Sequence, residues 1–456
     1  MPSTVCPSLA LRTSILEQRR QSSLESSSLD RTLYALLFAV LVPWFSVATA
    51  EVSNTAVHDA VVSDAVVSYS RPPGLSGDNW QFGPHNRWAY THLTEVLPSK
   101  KIRNDPQRTI PLLGRATAEK DMIIDWKGGR STLSTVAADQ YIDGILVLHK
   151  GKVHLEYYGG TLTAERTHLL WSVSKTVAGL TFAAVADAGL VDVDKSVADY
   201  VPELAESGWG ADKLRDLLDM RDSSSWNEDY DAPDSTVRRQ DCADGLLTGP
   251  ACEDVPVVGN YLFLPKVTHD AQRAGKFAYK SGTVDVLAWV LEAATGRRFA
   301  DLVSHYVWKP MGAERDADIT VDIGGFTLAS GGMQSTLGDL ARVGLLMANR
   351  GRAGATQVVS TSWLDDMFSR DGSRAWPLPS SPGHKPYYRT LTWGIGDGRG
   401  TVQARGVHGQ TIHVVPEHDI VIAVFSSWPA VNGGAPGSGP ETLMELLAAI
   451  EVAVLK

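Results

Sequence analysis

Ser172 and Lys175 stand three positions apart in WSVSKTVAGL, at what reads as the opening of an apolar helix. Residues i and i+3 share a helix face, so the hydroxyl and the amine are predicted to point the same way. A serine hydroxyl is a weak nucleophile near neutral pH and needs a base within hydrogen-bond reach. Lys175 can serve as that base only if burial or neighbouring charge lowers its pKa by several units. At the first turn, Ser172 would also present its own N–H to a developing oxyanion, helped by the positive end of the helix dipole. The pair by itself decides little, because Ser-x-x-Lys recurs by chance and a serine at a helix start can simply cap it.

Two later stretches offer partners. FAYKSGTVDVLAWV places Tyr279 and Ser281 on an irregular turn before a helix, and RGVHGQTIHVV places His408, Gly409 and Gln410 at the entrance of a strand. The chain holds no G-x-S-x-G, no H-E-x-x-H, no Walker A sequence and no G-x-G-x-x-G after a strand, and its histidines do not cluster at metal-ligand spacing. No metal or organic cofactor is expected.

These residues need a frame. DGILVLHKGKVHLEYYGG reads as a hairpin turning at Lys150-Gly151, and QTIHVVPEHDIVIAVFSS as a second one turning at Pro416 to His418. Between them lie helical patterns in SVSKTVAGLTFAAVADAG, GTVDVLAWVLEAATG and STLGDLARVGLLMANRG, and PETLMELLAAIEVAVL reads as a terminal helix opened by Pro440. Thr336 with Asp339 resembles a capping box, and Gly189, Gly296 and Gly351 follow apolar runs where helices end. Strands near both ends with helices between predict an α+β fold: one antiparallel sheet built from distant segments, flanked by helices, with a mainly helical insert.

At 456 residues, 43% hydrophobic and 21% charged, the chain can bury a large core, and a net charge of -10 without a basic run argues against nucleic-acid binding. Arg12, Arg19, Arg20 and Arg31 precede the apolar run TLYALLFAVLVPWFSVATA, which ends in the small-x-small pattern Ala48-Thr49-Ala50. This predicts export to the periplasm or medium, with residues 1–50 as a signal peptide. The alternative is an anchor retained at residues 32–50, the one case in which the chain would meet a membrane. Residues 51–78 read as a tether and residues 79–456 as the working domain. In an oxidising compartment Cys242 and Cys252 form an even pair, so a disulfide is expected, against two free buried thiols.

SVSK, then YKS about a hundred residues on, then HGQ before a strand, resemble in order and spacing the three motifs of the serine β-lactamase and penicillin-binding protein superfamily, class C type. Ser281 stands where class C enzymes have asparagine, and His408 near the place of the last motif's lysine. The chain is more similar to the 6-aminohexanoate-dimer hydrolases, the nylon-oligomer branch with carboxylesterase-like relatives, and the likeness extends to NWQFGPHNRWAY, LLDMRDSSSWNEDYDAPDS and TVDVLAWV. The resemblance implies a β-lactamase/transpeptidase-like fold, Ser172 as acyl-accepting nucleophile, Lys175 as its proton partner and Tyr279 as the relay to the leaving group. It further implies that Tyr230 closes over the substrate and that Asp241 receives a substrate amino end. A packed tyrosine and a solvated loop remain the bland alternatives. His408 is expected to line the pocket or cap a strand, Gly409 to let a strand approach the acyl group, and Gln410 or Thr411 to supply a second oxyanion N–H. Ser281 and Trp393 complete the candidate binding residues, Trp393 as a pocket wall. The expected activity is hydrolysis of a small linear amide or ester. The alternatives are a D-alanyl carboxypeptidase or other penicillin-interacting enzyme, and a non-catalytic binding relative.

Overall fold

The computed structural model describes residues 70–114, 122–371, 376–377, 384–434 and 438–456. The signal segment 1–50 and residues 51–69 of the tether lie outside the described residues. Of the remainder of that stretch, Leu75 is buried in a cluster with Trp80, Trp88 and Tyr90.

An eight-stranded antiparallel sheet forms the centre. Its strands are Ile142–His149 (β1), Lys152–Tyr158 (β2), Trp376–Pro377 (β3), Tyr387–Arg389 (β4), Thr392–Gly394 (β5), Val402–Gly406 (β6), Gln410–Val415 (β7) and Ile420–Ser426 (β8). The spatial order is β3-β4-β5-β6-β7-β8-β1-β2, so the first hairpin joins the edge of the last one through the β8–β1 pairing. Both hairpins fall where the sequence places them. Lys150 and Gly151 both adopt positive φ, 51° and 71°, as a two-residue turn matched to strand twist requires.

The sheet is covered on both faces, which is why β1 and β8 read as unbroken apolar runs rather than alternating ones. Successive residues still part by strand period. Leu146 and Leu148 join Val421, Ala423 and Phe425 in the larger core, with the helices Val173–Asp187 (α1), Ser281–Thr295 (α3) and Leu337–Ala348 (α4). Ile145 and Val147 join Ile420, Ile422 and Val424 against Leu443, Leu446, Leu447 and Ile450 of the terminal helix Pro440–Leu455 (α5). Helix α4 can lie this close to the sheet because Gly344 faces it; a Cβ there would stand 2.5 Å from Val421 Cγ1 and 2.8 Å from Ile412 Cγ2.

Between α1 and α4 the chain is mainly helical and includes Thr236–Ala243 (α2). A feature that periodicity does not show is a second, four-stranded antiparallel sheet, ordered Ser99–Ile102, Ala317–Thr320, Met333–Ser335, His168–Leu169. Its last strand feeds α1 directly. The Thr336 cap also differs from expectation. Thr336 Oγ1 accepts the Asp339 N–H at 3.2 Å, whereas the Asp339 carboxylate takes the N–H groups of Glu314 and Arg315 and the Arg342 guanidinium. The buried carboxylate anchors a neighbouring loop and returns to the cap through the Thr336 hydroxyl at 2.9 Å rather than through its backbone N–H.

Candidate active site

Ser172 sits at the junction of the second sheet and α1. Leu170 N donates to Met333 O at 2.8 Å, and the chain then turns through Trp171 at φ 46°, a left-handed conformation unusual for a bulky residue. The turn is held by aromatic packing: the Trp171 ring stacks on Trp80 with centroids 5.7 Å apart, meets Tyr90 edge-on at 5.8 Å, and lies 5.8 Å from His408. Ser172 therefore occupies the N-cap position of α1 without making a capping bond. Its Oγ faces Lys175 Nζ at 2.8 Å.

Lys175 is buried and makes two further contacts, to Ser281 Oγ at 2.9 Å and to the Ser330 carbonyl at 2.7 Å. Burial lowers its pKa to about 8, against the opposing pull of Glu228 and Asp285. The partners also fix which way its lone pair faces. A carbonyl can only accept, and Ser281 Oγ gives its own hydrogen to Glu228 Oε1, so it too can only accept from the lysine. In the neutral amine the two hydrogens are committed to Ser281 and Ser330. The lone pair is left for Ser172.

Glu228, a residue to which the sequence motifs assign no role, organises this cluster. Its carboxylate accepts from Tyr230 OH at 2.7 Å, from the Ser281 N–H at 2.8 Å and from Trp226 Nε1 at 2.5 Å, besides the Ser281 hydroxyl. The Ser330 carbonyl is held in turn by Asp285 on α3. Asp285 accepts the Ser330 N–H at 2.9 Å and its hydroxyl at 3.0 Å, while burial pushes its carboxyl up to about 6. Both residues lie in quoted stretches, yet nothing in their spacing marks them, because their partners are over fifty residues away in Ser281 and over forty in Ser330.

Tyr279 reaches Ser172 with its hydroxyl, and Lys175 Nζ lies 5.1 Å from its ring centre. Burial raises the phenol's pKa, offset only in part by the contact with Ser172, so it stays protonated near neutral pH. Trp393 stacks on its ring at 5.3 Å and Tyr388 meets it edge-on at 5.9 Å. Trp393 thus stands behind Tyr279 and does not border the cavity over Ser172, where it was expected as a wall.

That cavity is lined by Ser172, Tyr230, Asp241, Ser281, Val407 and His408, among others. His408 Nδ1 lies 2.7 Å from the Trp428 carbonyl and so carries a hydrogen, while burial pulls its pKa down to about 4. The ring is neutral and cannot replace a lysine's charge. Gly409 requires correction. At φ 95° it faces the neighbouring strand, and a Cβ there would stand 2.7 Å from Trp428 Cε2 and 2.8 Å from Ser426 Cβ. Gln410 and Thr411 open β7, opposite Gly406 and Arg405, and the Gln410 side chain is spent on the backbone of Ser426. The close approach belongs to Gly406, where a Cβ would stand 2.7 Å from Leu170 O and 3.1 Å from Ser172 N. Both glycines are in RGVHGQ; choosing between them needs the strand register.

Asp241 lies on α2 and is already paired, with Arg238 Nη1 3.2 Å from its Oδ2. Burial still holds its carboxyl at about 6. The expected bridge is present between Cys242, next in sequence, and Cys252.

A serine hydroxyl, a buried amine and a buried phenol on an α+β sheet and helix frame define a serine hydrolase of the β-lactamase and penicillin-binding protein class, and the family comparison agrees. The beta-lactamase family model matches residues 133–438, and the chain belongs to that family. It is 37% identical over 368 residues to a 6-aminohexanoate-dimer hydrolase of Paenarthrobacter ureafaciens, covering 79% of this chain and 91% of that protein. Among solved structures it is similar to a Bacillus anthracis protein assigned provisionally as a 6-aminohexanoate-dimer hydrolase, with a TM-score of 0.74, 24% identity, and 83% and 96% of the two chains covered. It also shares the fold of EstCE1, a hydrolase with promiscuous acyltransferase activity, at a TM-score of 0.53 and 17% identity over 71% of this chain and 96% of that one.

Proposed function

We propose that the chain hydrolyses a linear amide or carboxylic ester through an acyl-enzyme on Ser172. The observation that carries this reading is the set of three contacts at Lys175 Nζ, which leaves its lone pair for the Ser172 hydroxyl. Lys175 takes the Ser172 proton as Oγ attacks the carbonyl, and the oxyanion forms beside the Ser172 N–H and the Gly406–Val407 segment. Tyr279 hands a proton to the departing nitrogen or oxygen and is reprotonated from Lys175. Water then enters by the same route in reverse and frees the acid. A linear substrate is favoured over a β-lactam because neutral His408 does not supply, at the last motif's position, the cation with which that motif's lysine holds a β-lactam carboxylate. The 6-aminohexanoate-dimer hydrolase relative supports an amide or ester substrate.

The Cys242–Cys252 bridge supports an exported protein. Among the described residues no helix is long and apolar enough to cross a membrane.

Purified protein and a Ser172→Ala variant treated with a fluorophosphonate probe, p-nitrophenyl esters, a chromogenic cephalosporin and an aminohexanoate dimer test the reading. Labelling and ester or amide turnover in the wild type alone are expected. A wild type that neither labels nor turns over any of these defeats it.

A further inference from the structure

The side of the cavity formed by Gln81, Arg238 and Asp241 is not built as the nylon-oligomer resemblance implies. An aspartate that receives an ammonium should hold its charge in reserve, and here Asp241 Oδ2 is 3.2 Å from Arg238 Nη1. The guanidinium is itself fixed. Its Nε donates to the Tyr230 carbonyl at 2.9 Å, and its centre lies 5.8 Å from the Phe82 ring and 5.3 Å from the Tyr230 ring. Because the guanidinium already offsets the Asp241 charge, an ammonium brought there gains little net attraction and lies close to a second cation.

Gln81 adds the second observation. It is 3% exposed and lines the same cavity. Its Oε1 accepts from Arg238 Nη1 at 3.2 Å, and because a guanidinium has donors only, the amide orientation is determined: oxygen to Arg238, nitrogen away from it. The Nε2 atom is buried and has no hydrogen-bond partner among the described residues. A buried amide donor left unpaired costs about 1–3 kcal/mol, a penalty that a ligand oxygen would relieve.

We propose that Gln81 and Arg238 recognise an oxygen acceptor, a carbonyl or carboxylate, carried on the acyl chain of the substrate, and that the site disfavours a free ammonium at that position. The acceptor is assigned to the acyl chain because Tyr279, the leaving group's proton donor, meets Ser172 from the side where its ring packs against Tyr388 and Trp393, whereas Gln81 and Arg238 pack with Phe82, Tyr230 and Asp241. The inference rests on the serine-hydrolase reading of Ser172 and names the substrate class for that site. Gln81 and Arg238 are specificity residues here, and the acceptor could sit on an oligoamide, an oligoester or a dicarboxylic half-ester.

The test is a matched set of p-nitrophenyl esters of six-carbon acids whose far end is a methyl, an ammonium, a methyl ester or a carboxylate. The leaving group is constant, so kcat/KM reports the acyl chain. In the wild type the methyl ester or the carboxylate should exceed the ammonium by roughly tenfold or more, the scale of one or two buried hydrogen bonds. Whichever of the two leads identifies the acceptor as carbonyl or acid. Gln81→Ala and Gln81→Glu should each lower the ratio of methyl ester to methyl substrate about fivefold, mostly in KM. Ratios within one variant cancel any loss of folded enzyme. A wild type that prefers the ammonium, or ranks all four alike, overturns the proposal while leaving the hydrolase reading intact. Failure of every ester together with failure of fluorophosphonate labelling overturns both.

Discussion

Among the described residues two lysines are buried, and they are used in opposite ways. Lys280 is 0% exposed and pairs directly with the equally buried Asp222 at 2.8 Å, with further bonds to the carbonyls of Asp222 and Ser224. Lys175 is 1% exposed and has no carboxylate in contact, only two hydroxyls and one carbonyl. A buried ammonium with a carboxylate against it is a structural ion pair. A buried ammonium given only neutral acceptors is an amine waiting to lose its proton, and here burial brings that loss down to about 8. Glu228 is near enough to oppose the shift but acts across the Ser281 hydroxyl, so Lys175 keeps a charge that can be given up.

The sharpest way to break this contrast is to remove each charge in turn with a side chain of similar length. Lys175→Met should lower kcat by about a thousandfold or more, the usual consequence of losing a member of a nucleophile–base pair. Its melting temperature should hold or rise, because a desolvated amine is replaced by an apolar chain. Steady-state kinetics beside a thermal melt checks both, and a large drop in stability would mean that Lys175 is structural after all. Lys280→Met should do the reverse. It leaves Asp222 as an unpaired buried carboxylate and should cost about 3–5 kcal/mol in a denaturant melt, as breaking a buried pair usually does. A neutral outcome would show that Asp222 is easily protonated or hydrated.

A subtler effect sharpens the comparison through pH. The reactive form is the neutral amine, whose fraction grows as pH rises through about 8, so kcat/KM should climb with pH up to that region and then level off. His408 adds no limb at the usual histidine pH, because burial has already taken its pKa to about 4. The Glu228 carboxylate stabilises the ammonium of Lys175, so Glu228→Gln should move the rising limb to lower pH. An unmoved limb would assign the rate-controlling proton to another group.

Much of the frame was legible because it is local. Both hairpins, the helices α1, α3, α4 and α5, and the α+β layout follow from strand and helix periodicity and from turn residues such as Lys150-Gly151, each decided within a short window. Ser172, Lys175 and Tyr279 were legible as motif residues, and so was the Cys242–Cys252 pair. The facing of Trp393, Gly409, Gln410 and Thr411 was not legible, because it depends on which strand lies alongside, and register is set by pairing between distant segments. The four-stranded second sheet escaped notice for a related reason. Its strands are two to four residues long and none carries a pattern of its own.

The amino-acid sequence alone determined which groups could do the chemistry: a hydroxyl and an amine on one helix face and a phenol before another. Only the tertiary structure decided how they are charged and aimed. The pKa of Lys175 and the direction of its lone pair depend on Ser281, Ser330 and Glu228, which arrive from three other segments. Coulombic and hydrogen-bond energies follow distance in space, and no spacing along the chain encodes that distance. The same holds for Asp241, a free carboxylate in the sequence and one half of an ion pair in the fold.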